Sequence, residues 1–142
     1  TLAGILKDDY KVLIVDCDPQ DTQKTLLNAR GKADRELSVA GILTAGYDAK
    51  KCVIEISENV GLLQSGGKAI EAFNRKHSTS LDESLRLQGS LKEVEKDFDF
   101  VLFDASPTMS FIHQNIICYS DFVLLPCDMD ILSLSAMRKP RV

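Results

Sequence analysis

The stretch Lys11 to Gln20, KVLIVDCDPQ, constrains the fold more than any other part of the chain. Its apolar run, Val12 to Val15, lacks polar alternation, a pattern that suits a strand covered on both faces in a parallel α/β sheet. The run ends in Asp16, Cys17 and Asp18, and Pro19 then turns the chain. Ligands of open parallel sheets collect at the carboxyl ends of the strands, where these aspartates stand. If extended geometry continues past Val15, Asp16 and Asp18 point the same way, and like charges so close need a cation or hydrogen-bond donors. The bland alternative is a strand that leaves its sheet through a polar turn.

A chain of 142 residues with 44% hydrophobic and 27% charged content has the size and balance of one soluble globular domain. The formal charge of −4 gives no global basic signature for nucleic acid, although a local patch would escape this test. Cys17, Cys52, Cys118 and Cys127 show neither CxxC pairing nor the density of a disulfide scaffold, so buried free thiols in a reducing compartment are expected. No apolar run approaches membrane-spanning length, and no signal-peptide pattern opens the sequence. A cytoplasmic protein with no membrane association is the expectation.

Along the chain, Thr1 to Lys7 reads as the last turns of a helix, with Leu2, Ile5 and Leu6 at one-face spacing. A short helix is expected between Gln20 and Gly31, and another from Ser38 to Ala45, stopped by Gly46. Lys51 to Ile56 reads as a short strand or a connection, and Val60 to Gln64 as a buried strand. Ser65, Gly66, Gly67 and Lys68 superficially resemble a phosphate loop. That pattern needs glycine where Leu62 stands and Ser or Thr where Ala69 stands, so a turn with positive φ at the glycines is expected. A helix from Ala69 to Lys76 follows. Ser80 and Glu83 form a capping-box pattern for a helix from Leu81 to Lys96, with Leu85, Leu91 and Val94 as its apolar stripe. Phe98 to Asp104 is a second buried strand ending in aspartate. Ala105, Ser106 and Pro107 turn the chain into a helix from Ser110 to Tyr119, followed by a third strand, Phe122 to Pro126, and a helical stretch from Ile131. Strands alternating with helices predict a parallel sheet with helices on both faces and right-handed crossovers.

Two strand-end aspartates, Asp16 and Asp104, each followed by a proline-containing turn, suit magnesium and a phosphate ester, because magnesium needs only one or two carboxylates plus substrate phosphates. Val101 to Asp104 has the Walker B form. His77 and His113 are too isolated to propose a metal site and read as surface or internally satisfied histidines. No G-x-S-x-G elbow surrounds Ser106, so the hydrolase reading of Ser106 with His113 is discounted. Cys17 reads as a packing residue, since neighbouring carboxylates disfavour a thiolate. Arg138, Lys139 and Arg141 read as a solvated helix end.

Taken in order, VLIVDCDPQ, FDFVLFDASP and SDFVLLPCDMDILSLSAM are similar to the ParA/MinD family of deviant Walker ATPases, and resemble its ParA/Soj partition proteins most closely. The resemblance covers Thr1 to about Met137. It implies a P-loop NTPase-like α/β fold with ATP and magnesium as cofactors. It further implies that Asp18 orients or activates the water attacking the γ-phosphate, that Asp16 lies near the metal and its waters, and that Asp104 holds magnesium through its hydration shell. Ala105, Ser106 and Pro107 match the switch that senses the γ-phosphate. An ATP-dependent homodimer, nonspecific DNA and a centromere-binding partner protein are the implied partners.

Departures accompany the match. The family's KGGxGK[ST] loop does not occur in the sequence, Asp21 stands where Gly is frequent, and Ser106 stands where relatives carry a first Pro. The expectation is therefore a partial ParA-like nucleotide-binding domain over residues 1–142, its first strand and Walker A loop lying upstream and its late strands downstream. A degenerate, noncatalytic interaction module on the same fold is the competing reading.

Overall fold

A computed structural model describes residues 2–20, 36–76, 81–107, 110–124 and 126. The helix expected between Gln20 and Gly31, His77, Ser80, Cys127, the helix from Ile131 and the basic residues at 138, 139 and 141 lie outside the described residues. A four-stranded sheet in the order β2-β3-β1-β4 is built from β1 (Val12–Asp16), β2 (Ile54–Ser57), β3 (Val60–Leu63) and β4 (Phe100–Asp104). β1 is central and buried along its whole length, as its unbroken apolar run requires. It pairs in parallel with β3, from Val12 opposite Val60, and with β4, from Val12 opposite Phe100 to Asp16 opposite Asp104.

Helices lie on both faces: α1 (Leu2–Leu6) on one, and α2 (Val39–Ala45), α4 (Lys68–Lys76), α6 (Arg86–Leu91) and α7 (Phe111–Tyr119) on the other. Two single turns, α3 (Ala49–Cys52) and α5 (Leu81–Ser84), complete the described helices, and a 3-10 turn spans Glu95–Asp97. The larger core joins Leu13, Val15 and Leu63 of the sheet to Leu43, Ile70, Phe73, Leu87, Leu91 and Ile112. The smaller one joins Ala3 to Val12, Ile14, Val60 and Leu62. No described helix is long and apolar enough to cross a membrane.

Local signals set several boundaries. Ser38 caps α2 by accepting the Gly41 N–H at 3.2 Å, and Gly46 ends the helix in the left-handed region at φ 71°. The Ser65–Lys68 segment is the expected turn, with Gly66 at φ 89° and Gly67 at φ 56°. It is pinned to α2, since the carbonyls of Gln64 and Ser65 accept the N–H groups of Val39 and Ala40.

Other expectations need correction. β2 runs antiparallel to β3, because Glu58 and Asn59 alone separate the strands and a parallel crossover needs a dozen residues. The continuous helix expected over 81–96 is broken into α5, α6 and the 3-10 turn, and Leu87, not the half-exposed Leu85, enters the core. In α1 the buried residue is Ala3, whereas Leu2 and Ile5 face outward. Phe122, Val123 and Leu124 form no strand and are strongly exposed. An apolar run becomes a strand only when a neighbour satisfies its backbone, and none of the four described strands pairs with this segment.

Candidate functional site

Because β1 and β4 are parallel and in register, their carboxyl ends coincide, and Asp16 stands directly opposite Asp104. Adjacent strands run about 4.8 Å apart and paired residues project to the same face, so the register brings the two carboxylates to one edge. The Cys17 N–H donates to the Asp104 carbonyl at 2.8 Å, extending the β1–β4 pairing past the last strand residue.

The backbone then changes direction. Asp16 is fully buried, and its Oδ1 accepts the Asp18 N–H at 2.9 Å. The Asp18 Oδ1 accepts the Gln20 N–H, also at 2.9 Å. These successive Asx turns replace the extended geometry under which Asp16 and Asp18 would have shared one face. Asp16 is buried in the sheet end, while Asp18 is carried outward on a turn and is half-buried. Cys17 is packed between them, its thiol pushed far up by burial and then by the carboxylates of Asp16 and Asp104. That shift agrees with its reading as an inert packing residue.

β4 delivers Asp104 half-buried, and Ala105 and Ser106 continue from it at the same sheet edge, with Pro107 exposed. The glycine turn borders this edge too, since a Cβ on Gly67 would sit 3.7 Å from the Pro19 carbonyl oxygen. Its groups are occupied by local structure, with Ser65 Oγ accepting the Gly67 N–H at 3.0 Å. The structure therefore gathers Asp16, Asp18, Asp104, Ser106 and Pro107 from two strand ends.

Among the described residues no group of three or more His, Cys, Asp or Glu side chains could hold a metal ion. The donor set fits magnesium held by a carboxylate together with phosphate oxygens and water, which demands no protein cage.

One connection was missed in the sequence. His113 Nε2 lies 2.7 Å from the Ser106 carbonyl oxygen, and its Nδ1 accepts the Ser110 N–H at 3.2 Å. His113 is internally satisfied, as expected, but its partner is the loop after β4. The available signal was Ser110-x-x-His113, a capping box with His in the place of Glu.

The chain is 26% identical over 132 residues to the sporulation initiation inhibitor protein Soj of Bacillus subtilis, a match covering 89% of this chain and 50% of that protein. A plasmid partition protein from Borrelia burgdorferi shares the fold with a TM-score of 0.84 at 21% identity, over 96% of this chain and 60% of that one. Cobyrinic acid a,c-diamide synthase from Mycobacterium smegmatis, solved with an ATP analogue and magnesium, superposes with a TM-score of 0.68 at 22% identity, over 83% of this chain and 48% of its own. The chain spans about half the length of the curated relatives it matches. Residues 2–139 match the AAA_31 model, described as an AAA domain, and the chain belongs to that family as a ParA/MinD-like protein with a P-loop NTPase-like fold.

Proposed function

We propose that the full-length protein is a ParA-type ATPase that hydrolyses ATP with magnesium. The observation that carries this reading is the register of β1 and β4, which aligns Asp16 with Asp104 beside the Asp18 turn and the 105–107 loop. Magnesium, when bound, supplies charge neutralisation at the phosphates. Asp104 is the residue to hold it through its waters, with Asp16 behind it as a buried carboxylate that fixes the turn and adds negative charge. Asp18 lies on the exposed side of that turn, where its carboxylate can accept a hydrogen bond from the attacking water and orient it. The 105–107 loop then faces the γ-phosphate.

The relatives support a cellular role in partitioning or positioning, since those compared include a plasmid partition protein and Soj, and another is the cell division protein PomZ of Myxococcus xanthus. An ATP-dependent homodimer, nonspecific DNA and a centromere-binding partner complete the proposed cycle in the cytoplasm.

The test is the magnesium dependence of ATP turnover by the full-length gene product. Asp104→Asn is expected to raise the magnesium concentration for half-maximal turnover by about tenfold or more, the usual effect of losing a carboxylate that orders a metal's waters. Chelation is expected to abolish turnover. An unchanged magnesium requirement in Asp104→Asn removes the metal role from this residue.

A further inference from the structure

We infer that His113 is a positioning residue, latching the loop that follows β4 to the first turn of α7. This rests on the proposed reading of the 105–107 loop as the segment facing the γ-phosphate. A carbonyl oxygen can only accept, so the 2.7 Å contact with Ser106 requires the hydrogen on His113 Nε2. Nδ1 of the neutral ring is then an acceptor, and it faces the Ser110 N–H at 3.2 Å and the Ser110 hydroxyl at 3.1 Å. One ring thus has two separate duties. Through Nδ1 it caps α7, and through Nε2 it holds the backbone of the loop.

The helix end of this latch is fixed to the body of the protein. Asn74 of α4 accepts the Ile112 N–H through Oδ1 at 3.0 Å. Fully buried Asn115 accepts the Leu87 N–H through Oδ1 at 3.1 Å, tying α7 to α6. Phe111 and Ile112 are buried in the larger core. Ser106, two residues beyond Asp104, is therefore tethered to a frame built from α4, α6 and α7. A γ-phosphate approaching this loop would meet a backbone already held in place, and preorganisation of that kind favours the reacting geometry over simple binding.

The two duties are separable by chemistry. Glutamate at position 113 restores the acceptor of an ordinary capping box but has no hydrogen to give the Ser106 carbonyl. Glutamine retains both an acceptor and a donor. The experiment compares His113→Glu and His113→Gln in the full-length gene product, by thermal unfolding, amide hydrogen exchange at Ala105 and Ser106 without nucleotide, and steady-state ATP turnover. The expected result is that His113→Glu keeps the unfolding midpoint, speeds exchange at the loop by about tenfold, and lowers kcat by a similar factor with little change in KM. His113→Gln is expected to recover much of both losses. Wild-type exchange in His113→Glu overturns the latch, as does an equal loss in the two variants. If the wild type turns over no ATP, the ATPase reading fails and the catalytic role of the latch falls with it. The exchange measurement needs no nucleotide and identifies which of the two has failed.

Discussion

Replacing Asp18 by Ala in the full-length gene product is expected to lower kcat for ATP by about a hundredfold or more while nucleotide still binds. The expectation follows from where the turn places this residue. Asp16 is fully buried and accepts the Asp18 N–H, whereas Asp18 stands half-buried beyond the strand end, linked through Oδ1 to the N–H of Gln20. Removing the Asp18 carboxylate takes away one local turn contact and leaves β1, β4 and the Asp16–Asp104 register untouched. The loss therefore falls on turnover, because a group that orients water acts in the transition state and contributes little to ground-state binding. Steady-state kinetics beside equilibrium binding of an ATP analogue separates the two. A variant that binds and turns over ATP like the wild type removes Asp18 from the chemistry.

Phe73→Ala is expected to cost about 3–5 kcal/mol of folding stability, a large share of the roughly 5–15 kcal/mol typical of a domain. Phe73 on α4 is 1% exposed and belongs to the larger core. Its ring centroid lies 5.7 Å from that of Phe111, the first residue of α7. Truncation opens a cavity between α4 and α7, the helices also joined by the Asn74–Ile112 hydrogen bond. Phe100 gives the internal comparison, since it is 40% exposed on β4 and packs edge-on against Tyr10. Its replacement by Ala is expected to cost about 1 kcal/mol. Urea denaturation of the two variants checks the ordering, and equal losses would show that the core does not pass through Phe73.

Local sequence carried the parts of this fold that local physics decides. Ser38 and Gly46 bracket α2 because a cap needs only its own turn, and Gly66 and Gly67 adopt positive φ because the chain must reverse there. β1, β3 and β4 were legible as apolar runs because each is paired within a sheet packed between helices. Phe122 to Leu124 has the same character without a described neighbour, and it forms no strand. Leu87, Leu91 and Val94 stand at i, i+4 and i+7, so helical spacing itself favoured Leu87 over Leu85 for the buried stripe, whereas the break between α5 and α6 is a matter of packing that no stripe encodes.

The site divided in the same way. Asp16, Asp18 and Asp104 were legible as strand-end carboxylates, but their juxtaposition is a matter of register between segments some ninety residues apart. The Asx turns that separate Asp16 from Asp18 depend on side-chain hydrogen bonds that a period-two pattern does not contain. His113 was legible as a satisfied histidine, and its link to Ser106 required the loop and the helix to be seen together.

A polar concavity at the opposite end of the same strands makes the location of the nucleotide testable. It has a volume of about 660 Å³ and is lined by Asp9, Tyr10, Lys11, Asn59 and residues 96–99. Lys11 is about 16 Å along β1 from Asp16, far enough to separate the two positions. The most direct measurement is paramagnetic broadening of backbone amide resonances by Mn²⁺ added with a nonhydrolysable ATP analogue to the full-length gene product. The expected result is broadening centred on Asp16, Asp18, Asp104 and Ser106, with Lys11 and Asp99 much less affected. Broadening centred on Lys11 and Asp99, or none at Asp16 and Asp104, would contradict a magnesium–nucleotide site at the carboxyl ends of β1 and β4.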